Sequence, residues 1–164
     1  MKTYSGKYKV KNPSKYEGDS SNVVYRSMWE AHCFKWADTN PKILKWSSEE
    51  VVIPYRWDID KKLHRYFMDM KLVTQDKTIL VEIKPAIQTK PPAKPANRRT
   101  KRYINESMTY VKNRNKWDAA NEYAADRGWE FQIWTEDTLN SLGIMTKSKP
   151  LPKMPKMKPM KRKK

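Results

Sequence analysis

Apolar and polar positions alternate most densely between Arg65 and Pro85. The run Arg65-Tyr66-Phe67-Met68-Asp69-Met70-Lys71-Leu72-Val73, a polar turn at Thr74-Gln75-Asp76-Lys77, and Thr78-Ile79-Leu80-Val81-Glu82-Ile83-Lys84 predict a β-hairpin. Upstream, Val24, Met28, Trp29, Cys33, Trp36 and Ala37 recur at helical spacing, so an amphipathic helix is predicted over 23–39, stopped by Asn40-Pro41. Ile43 to Trp46 is a short apolar stretch ending in a Ser47-Ser48 turn. Glu50 to Trp57 reads as the first strand, with Pro54 confining it to an edge or a strand end, and Asp58 to Lys62 as a charged turn. Downstream, 103–112 and 116–127 are helical by periodicity, with a break predicted at Asn113-Arg114-Asn115 and a stop at Gly128. Trp129 to Thr135 alternates as a strand, and a short helix begins at Glu136. The predicted order is helix, strand, strand, strand, helix, strand. This is an α/β fold with a mixed sheet of about four strands flanked by helices.

Charge adds a partner to this picture. The 164 residues carry 35 Lys and Arg against 18 Asp and Glu, a net charge of +17, so the chain should concentrate at polyanions, above all nucleic acid. An anionic membrane surface is the rival. No apolar run approaches a membrane span, and the opening Met1-Lys2-Thr3-Tyr4-Ser5-Gly6 lacks the apolar core of a signal peptide, so the expectation is a protein that is neither secreted nor membrane-bound. Cys33 is the only cysteine, and His32 and His64 are too scattered for a zinc cluster. The composition divides the chain into a basic polar arm at 1–22, one domain at 23–145 and a basic Pro/Lys tail at 146–164. The arm is expected to be irregular, and the tail unfolded, since its last eighteen residues hold nine basic residues, four prolines and no acid. Within the domain, 85–100 is a proline-spaced basic loop that cannot be sheet or helix until about Thr100. Lys90, Lys94, Arg98, Arg99, Lys101 and Arg102 are the candidate contacts to a DNA backbone, the alternative being a merely solvated charged loop.

The hairpin supplies candidate chemistry. Glu82 and Lys84 point the same way from their strand, about 7 Å apart, and Asp69 on the neighbouring arm can share that face. Two carboxylates so placed suit a hard, oxygen-seeking cation such as magnesium, and the lysine can hold a negatively charged reacting group. The same alternation also fits solvated residues on the outer face of an edge strand. Glu30 has two readings as well. Ser27-Met28-Trp29-Glu30 has capping-box spacing, in which the glutamate reaches back to a backbone amide; alternatively its carboxylate faces the sheet and completes an acidic cluster.

Asp69 followed by Glu82-Ile83-Lys84 resembles the PD-(D/E)XK nuclease signature, with Met68 where that pattern often has proline. Tyr25-Arg26-Ser27-Met28-Trp29-Glu30 resembles the Arg-Ser-x-Trp-Glu box of TnsA-type transposon endonucleases, as do Lys116-Trp117-Asp118-Ala119-Ala120, Gly128-Trp129-Glu130-Phe131 and Thr135-Glu136 further on. Small size, that box and the basic tail make the chain similar to the head completion nucleases of T-even-type tailed bacteriophages. The resemblance implies a restriction-endonuclease-like core. It implies that Glu30, Asp69, Glu82 and Lys84 are catalytic, with magnesium (or manganese) held by Asp69, Glu82, the Ile83 carbonyl and Glu30. It further implies double-stranded DNA as substrate, phage portal, neck and head proteins as partners, no small-molecule cofactor, and a place in the virion or host cytoplasm. A non-catalytic DNA- or capsid-binding head protein and a TnsA-like transposon end-cleaving subunit are the alternatives.

Overall fold

The structure is a computed structural model that describes residues 4–146. In chain order its elements are β1 (Gly6–Tyr8), β2 (Val23–Tyr25), α1 (Met28–Thr39), β3 (Lys45–Ser47), β4 (Val52–Arg56), β5 (Leu63–Phe67), β6 (Met70–Val73), β7 (Thr78–Ile83), α2 (Lys101–Asp126), β8 (Glu130–Trp134) and α3 (Glu136–Ser141). The main sheet is mixed and four-stranded in the order β3-β6-β7-β8; β7 and β8 are parallel and the other pairs antiparallel. Parallel neighbours need a crossover, and α2 supplies it. The expected α/β class and sheet size are both present, and the architecture is compatible with a restriction-endonuclease-like core.

From Ile79 to Ile83 every residue of β7 is buried, as a strand covered on both faces requires. Ile79, Val81 and Ile83 pack toward Cys33, Phe34 and Ala37 of α1, together with Trp46, Leu72 and Trp134. Leu80 points the other way, into a second cluster with Ile53, Tyr55, Tyr66, Met68 and with Ala120 and Ala124 of α2. By strand alternation Glu82 shares the Leu80 side, at the carboxyl end of the central strand.

The predicted hairpin is interrupted. Its first arm is two strands: β5 pairs with β4 in a sheet of their own, and β6 joins the main sheet. The break lies at Met68–Asp69 because the backbone there bonds elsewhere. Met68 N–H donates to the Val51 carbonyl at 2.9 Å, its carbonyl accepts from Glu49 N–H at 3.0 Å, and the Ile83 N–H goes to the Asp69 carboxylate at 2.8 Å. Pro54 does sit on an edge, since β4 has β5 as its one partner.

Three other expectations are corrected. The helix predicted from Val23 starts at Met28, capped by Ser27, and Val23–Tyr25 is strand β2 instead. The two helices predicted around a break at 113–115 are one helix of 26 residues. Asn and Arg cost a helix only a few tenths of a kcal/mol each, less than the burial of Trp117, Ala120 and Ala124 on the same helix returns. Gly128 ends it as predicted, with a positive φ of 70°. Finally, residues 4–22 of the expected irregular arm are folded. β1 pairs with β2, Tyr16 is buried edge-on against Trp46 with ring centroids 4.8 Å apart, and Lys15 Nζ donates to the carbonyls of Ala37, Asp38 and Asn40 at the end of α1. A cation suits the carbonyl end of a helix. The basic tail, from residue 147, lies outside the described residues.

Candidate active site

Asp69 and Glu82 meet where the hairpin breaks. Asp69 sits in the bend before β6 and accepts the Ile83 N–H at 2.8 Å. Glu82 is 4% exposed; its Oε2 accepts from the Tyr66 hydroxyl at 2.5 Å and its Oε1 lies 3.2 Å from Lys84 Nζ. Lys84 is half-buried, and its N–H donates to the Trp134 carbonyl at 2.9 Å, which extends the β7–β8 pairing by one residue. Asp69 keeps part of its surface open, yet loss of water around its carboxyl, and next the charge of Glu82, push its pKa well above the ordinary carboxylate value. The Tyr66 hydroxyl is pushed up too, by burial and then by Glu82, so it remains a donor to that carboxylate.

Glu30 stands at the third position of α1. Its N–H donates to Ser27 Oγ at 3.2 Å, and its Oε2 accepts the Arg26 N–H at 2.8 Å. The carboxylate thus does cap the helix start, one residue earlier than a standard capping box. It is also close enough for its charge to act on Asp69 and to feel Glu82, while burial raises its own pKa. Glu30, Asp69 and Glu82 are therefore on one side of the molecule. They do not converge on a single point: among the described residues no three Asp, Glu, His or Cys side chains form a group that could hold a metal ion. Asp69 and Glu82 stand as a pair with Glu30 nearby, its carboxylate bonded to the Arg26 amide. The part of Ile83 tied to the acids is its N–H.

A pair suffices for magnesium, which keeps most of its waters and is commonly held by one or two carboxylates plus phosphate oxygens. The donor set fits: two adjacent desolvated carboxylates of like charge, each fixed by a hydrogen-bond donor, form an all-oxygen site that a divalent cation would relieve. Neither histidine belongs to it. His64 Nε2 is 2.7 Å from Asp60 in the β4–β5 turn, and His32 is exposed on α1.

The basic loop leaves directly after Lys84. Its start is pinned by Glu136 of α3, which accepts the Ala86 N–H at 2.8 Å, and Thr100 caps α2 at its end by accepting the Tyr103 N–H at 3.1 Å. Lys90, Lys94, Arg98, Arg99, Lys101 and Arg102 are all exposed. None of the six is hydrogen-bonded or paired to the acids among the described residues; Arg102 pairs with Glu106 at 2.7 Å.

Sequence reasoning missed Tyr66 and Lys116. In a regular strand Tyr66 and Asp69, three apart, would face opposite sides; the bend between them brings both to Glu82. Lys116 of α2 lies over the Tyr66 and Tyr55 rings, 5.2 and 5.8 Å from their centroids. It opens the Lys116-Trp117-Asp118-Ala119-Ala120 run that resembles the TnsA-type pattern, but its place in that run gave it no role at the site. Arg26, of the Arg-Ser-x-Trp-Glu box, pairs its Nε with Glu49 at 2.8 Å, and the charges of both reach Glu30.

Cys33 is fully buried one turn beyond Glu30, and burial, with the charges of Asp69 and Glu30, pushes its thiol up to about 12. The thiolate is the reactive form. Native protein at pH 8 is therefore expected to leave Cys33 untouched by a thiol reagent over an hour, and the denatured chain to react with one equivalent. Prompt labelling of the native protein would show that α1 opens readily from the sheet.

Comparison with known proteins agrees with this geometry. A family described as "TnsA-like endonuclease N terminal" matches residues 40–136, which include Asp69, Glu82 and Lys84 and leave Glu30 upstream. The chain is 46% identical over 145 residues to the "Head completion nuclease" of Enterobacteria phage T4, a match that covers 86% of this chain and 97% of that protein. A mixed sheet with an acid pair and a lysine at the end of its central strand, matched over its core by that family, leads to one assignment: the chain belongs to the TnsA-like endonucleases.

Proposed function

We propose that this protein is a magnesium-dependent endodeoxyribonuclease that acts in phage head completion, on packaged DNA ends or at the neck of the filled capsid. The observation that carries the reading is the desolvated Asp69–Glu82 pair with Lys84 3.2 Å from Glu82, next to an exposed basic loop. Similarity to the phage head completion nuclease over nearly its whole length supports the biological setting over transposon end cleavage.

Asp69 and Glu82 would hold the cation. When bound, it neutralises charge on the scissile phosphate and makes a water easier to deprotonate. The chain's own groups do the rest. The Ile83 N–H and the Tyr66 hydroxyl hold the two carboxylates in place, so little reorganisation is needed when substrate arrives. Lys84 directs its ammonium toward the charge that builds on the phosphate or on the attacking oxygen. Glu30, held by the Arg26 amide, adds negative potential from α1. The basic loop and the start of α2 bear on the duplex backbone, which makes affinity salt-dependent. Portal, neck and head proteins would be the protein partners, in the virion or the host cytoplasm. No helix among the described residues is long and apolar enough to cross a membrane.

A supercoiled-plasmid assay tests the reading. Cleavage is expected with magnesium or manganese and none in EDTA, with plasmid binding retained in both. Binding without cleavage in every metal would leave a non-catalytic DNA- or capsid-binding protein on this fold.

A further inference from the structure

We infer that Lys116 makes a second cationic contact with the scissile phosphate, supplied from α2 across the site from the β7 strand that carries Lys84. This rests on the nuclease reading above. Lys116 is half-buried and stacks its ammonium over the ring of Tyr66, whose hydroxyl is bonded to Glu82. It therefore stands one aromatic ring away from the acid pair. Glu82 is engaged by Tyr66 and by Lys84, and Asp69 by the Ile83 N–H, and neither carboxylate pairs with Lys116. Among the described residues Lys116 has no hydrogen bond and no ion pair, although the charges of Glu82 and Asp69 reach it. A partly desolvated ammonium without an anionic partner is costly to keep, and cation–π contact with Tyr55 and Tyr66 recovers only part of that cost.

A phosphate oxygen beside the acids would supply the missing anion. The surroundings favour one. Lys112, one turn earlier on α2, lies 4.3 Å from the centroid of the Trp57 ring, and its charge and that of Lys84 both act on Lys116. Of these three lysines, Lys84 lies against Glu82, Lys116 over the Tyr66 ring bonded to it, and Lys112 one turn further along α2. The helix bearing two of them begins where the exposed basic loop ends. A DNA strand that follows this positive edge from the loop along α2 arrives at Asp69 and Glu82 with its phosphate between Lys84 and Lys116. A structural stacking cation predicts none of this, and it would serve as well in a protein that never met DNA.

The test compares wild type, Lys116→Met and Lys116→Arg on a duplex oligonucleotide. Binding is measured by fluorescence anisotropy in EDTA across a salt series, and single-turnover cleavage with magnesium at saturating enzyme. One lost phosphate contact lowers the slope of log affinity against log salt by about one unit. Lys116→Met is expected to show that drop, to cleave about 100-fold more slowly once saturated, and to keep the wild-type thermal midpoint. Lys116→Arg is expected to retain the slope and to recover about a tenth or more of the rate. A Met variant with unchanged slope, or with a changed slope but wild-type cleavage at saturation, overturns the assignment. Failure of the wild type itself to cleave would sink the nuclease reading instead, and the EDTA slope still decides whether Lys116 touches DNA.

Discussion

Replacing Lys84 with Met, or Asp69 with Asn, is expected to slow single-turnover DNA cleavage by about three orders of magnitude, the scale seen when one preorganised charge is removed from a transition state. DNA affinity in EDTA should stay within about threefold of wild type for Asp69→Asn and within about tenfold for Lys84→Met, which loses one phosphate contact. On the proposed reading, affinity would come from the many exposed basic residues of the loop and the start of α2, and rate from a few groups held at fixed distance. Lys84 is tied to Glu82 at 3.2 Å and Asp69 to the Ile83 N–H at 2.8 Å, and neither group lies on the exposed loop. Misfolding is easily told apart from lost chemistry. The Asp69 pKa is raised by burial and by Glu82, so the folded chain binds this proton more tightly than the unfolded one. Its favourable contribution is complete below the unfolded pKa and is lost as pH rises through the folded one. Near neutral pH without metal, Asp69→Asn therefore relieves a cost and should not lower the thermal midpoint. Cleavage within tenfold of wild type would remove the replaced group, Lys84 or Asp69, from the chemistry.

Asp38→Ala is expected to cost about 3 kcal/mol or more of stability and to release the N-terminal segment, read as a lower urea midpoint and as new proteolytic cuts between Tyr8 and Tyr16. Asp38 is 0% exposed. Its Oδ2 accepts from the Tyr8 hydroxyl at 3.0 Å and the Lys11 N–H at 2.7 Å, and its Oδ1 from the Asn12 N–H at 3.1 Å. Removing the carboxylate leaves three donors with no partner in the protein, and water must reach them for the segment to stay in place. Loosening that segment also frees Tyr16 from Trp46, which is itself 0% exposed and stacked among Tyr8, Tyr16 and Phe34. Cleavage activity should persist at low temperature, since Asp69, Glu82 and Lys84 lie on other elements. A variant with wild-type stability would mean that the network contributes nothing net.

The local patterns carried the elements whose partners are near or whose faces are uniform. β-branched and apolar residues after a polar turn marked β7 as a strand, Gly128 and the alternation after it marked the return into β8, and Thr100 marked the end of the proline-spaced loop. Patterns failed where one long-range contact outvoted local preference. Asn113-Arg114-Asn115 reads as a break, but helix packing through Trp117 and Ala120 carries α2 straight through it. Lysine-rich polarity reads as an arm, but one buried aspartate 26 to 30 residues away collects its backbone amides and its tyrosine.

For the site the division is similar. That Glu82 and Lys84 lie side by side was determined by the sequence alone, because residues two apart on a strand share a face. Whether Glu30 capped a helix or faced the acids could be decided only in three dimensions, where the Arg26 amide holds it while its field still reaches Asp69. So too with Tyr66 and Lys116. They come to Glu82 through a bend in one strand and the packing of a helix fifty residues away in sequence from that strand's tyrosine. Periodicity of two or 3.6 residues assigns each element its faces, but which faces meet is settled by burial and by competition for buried hydrogen-bond donors across the whole chain.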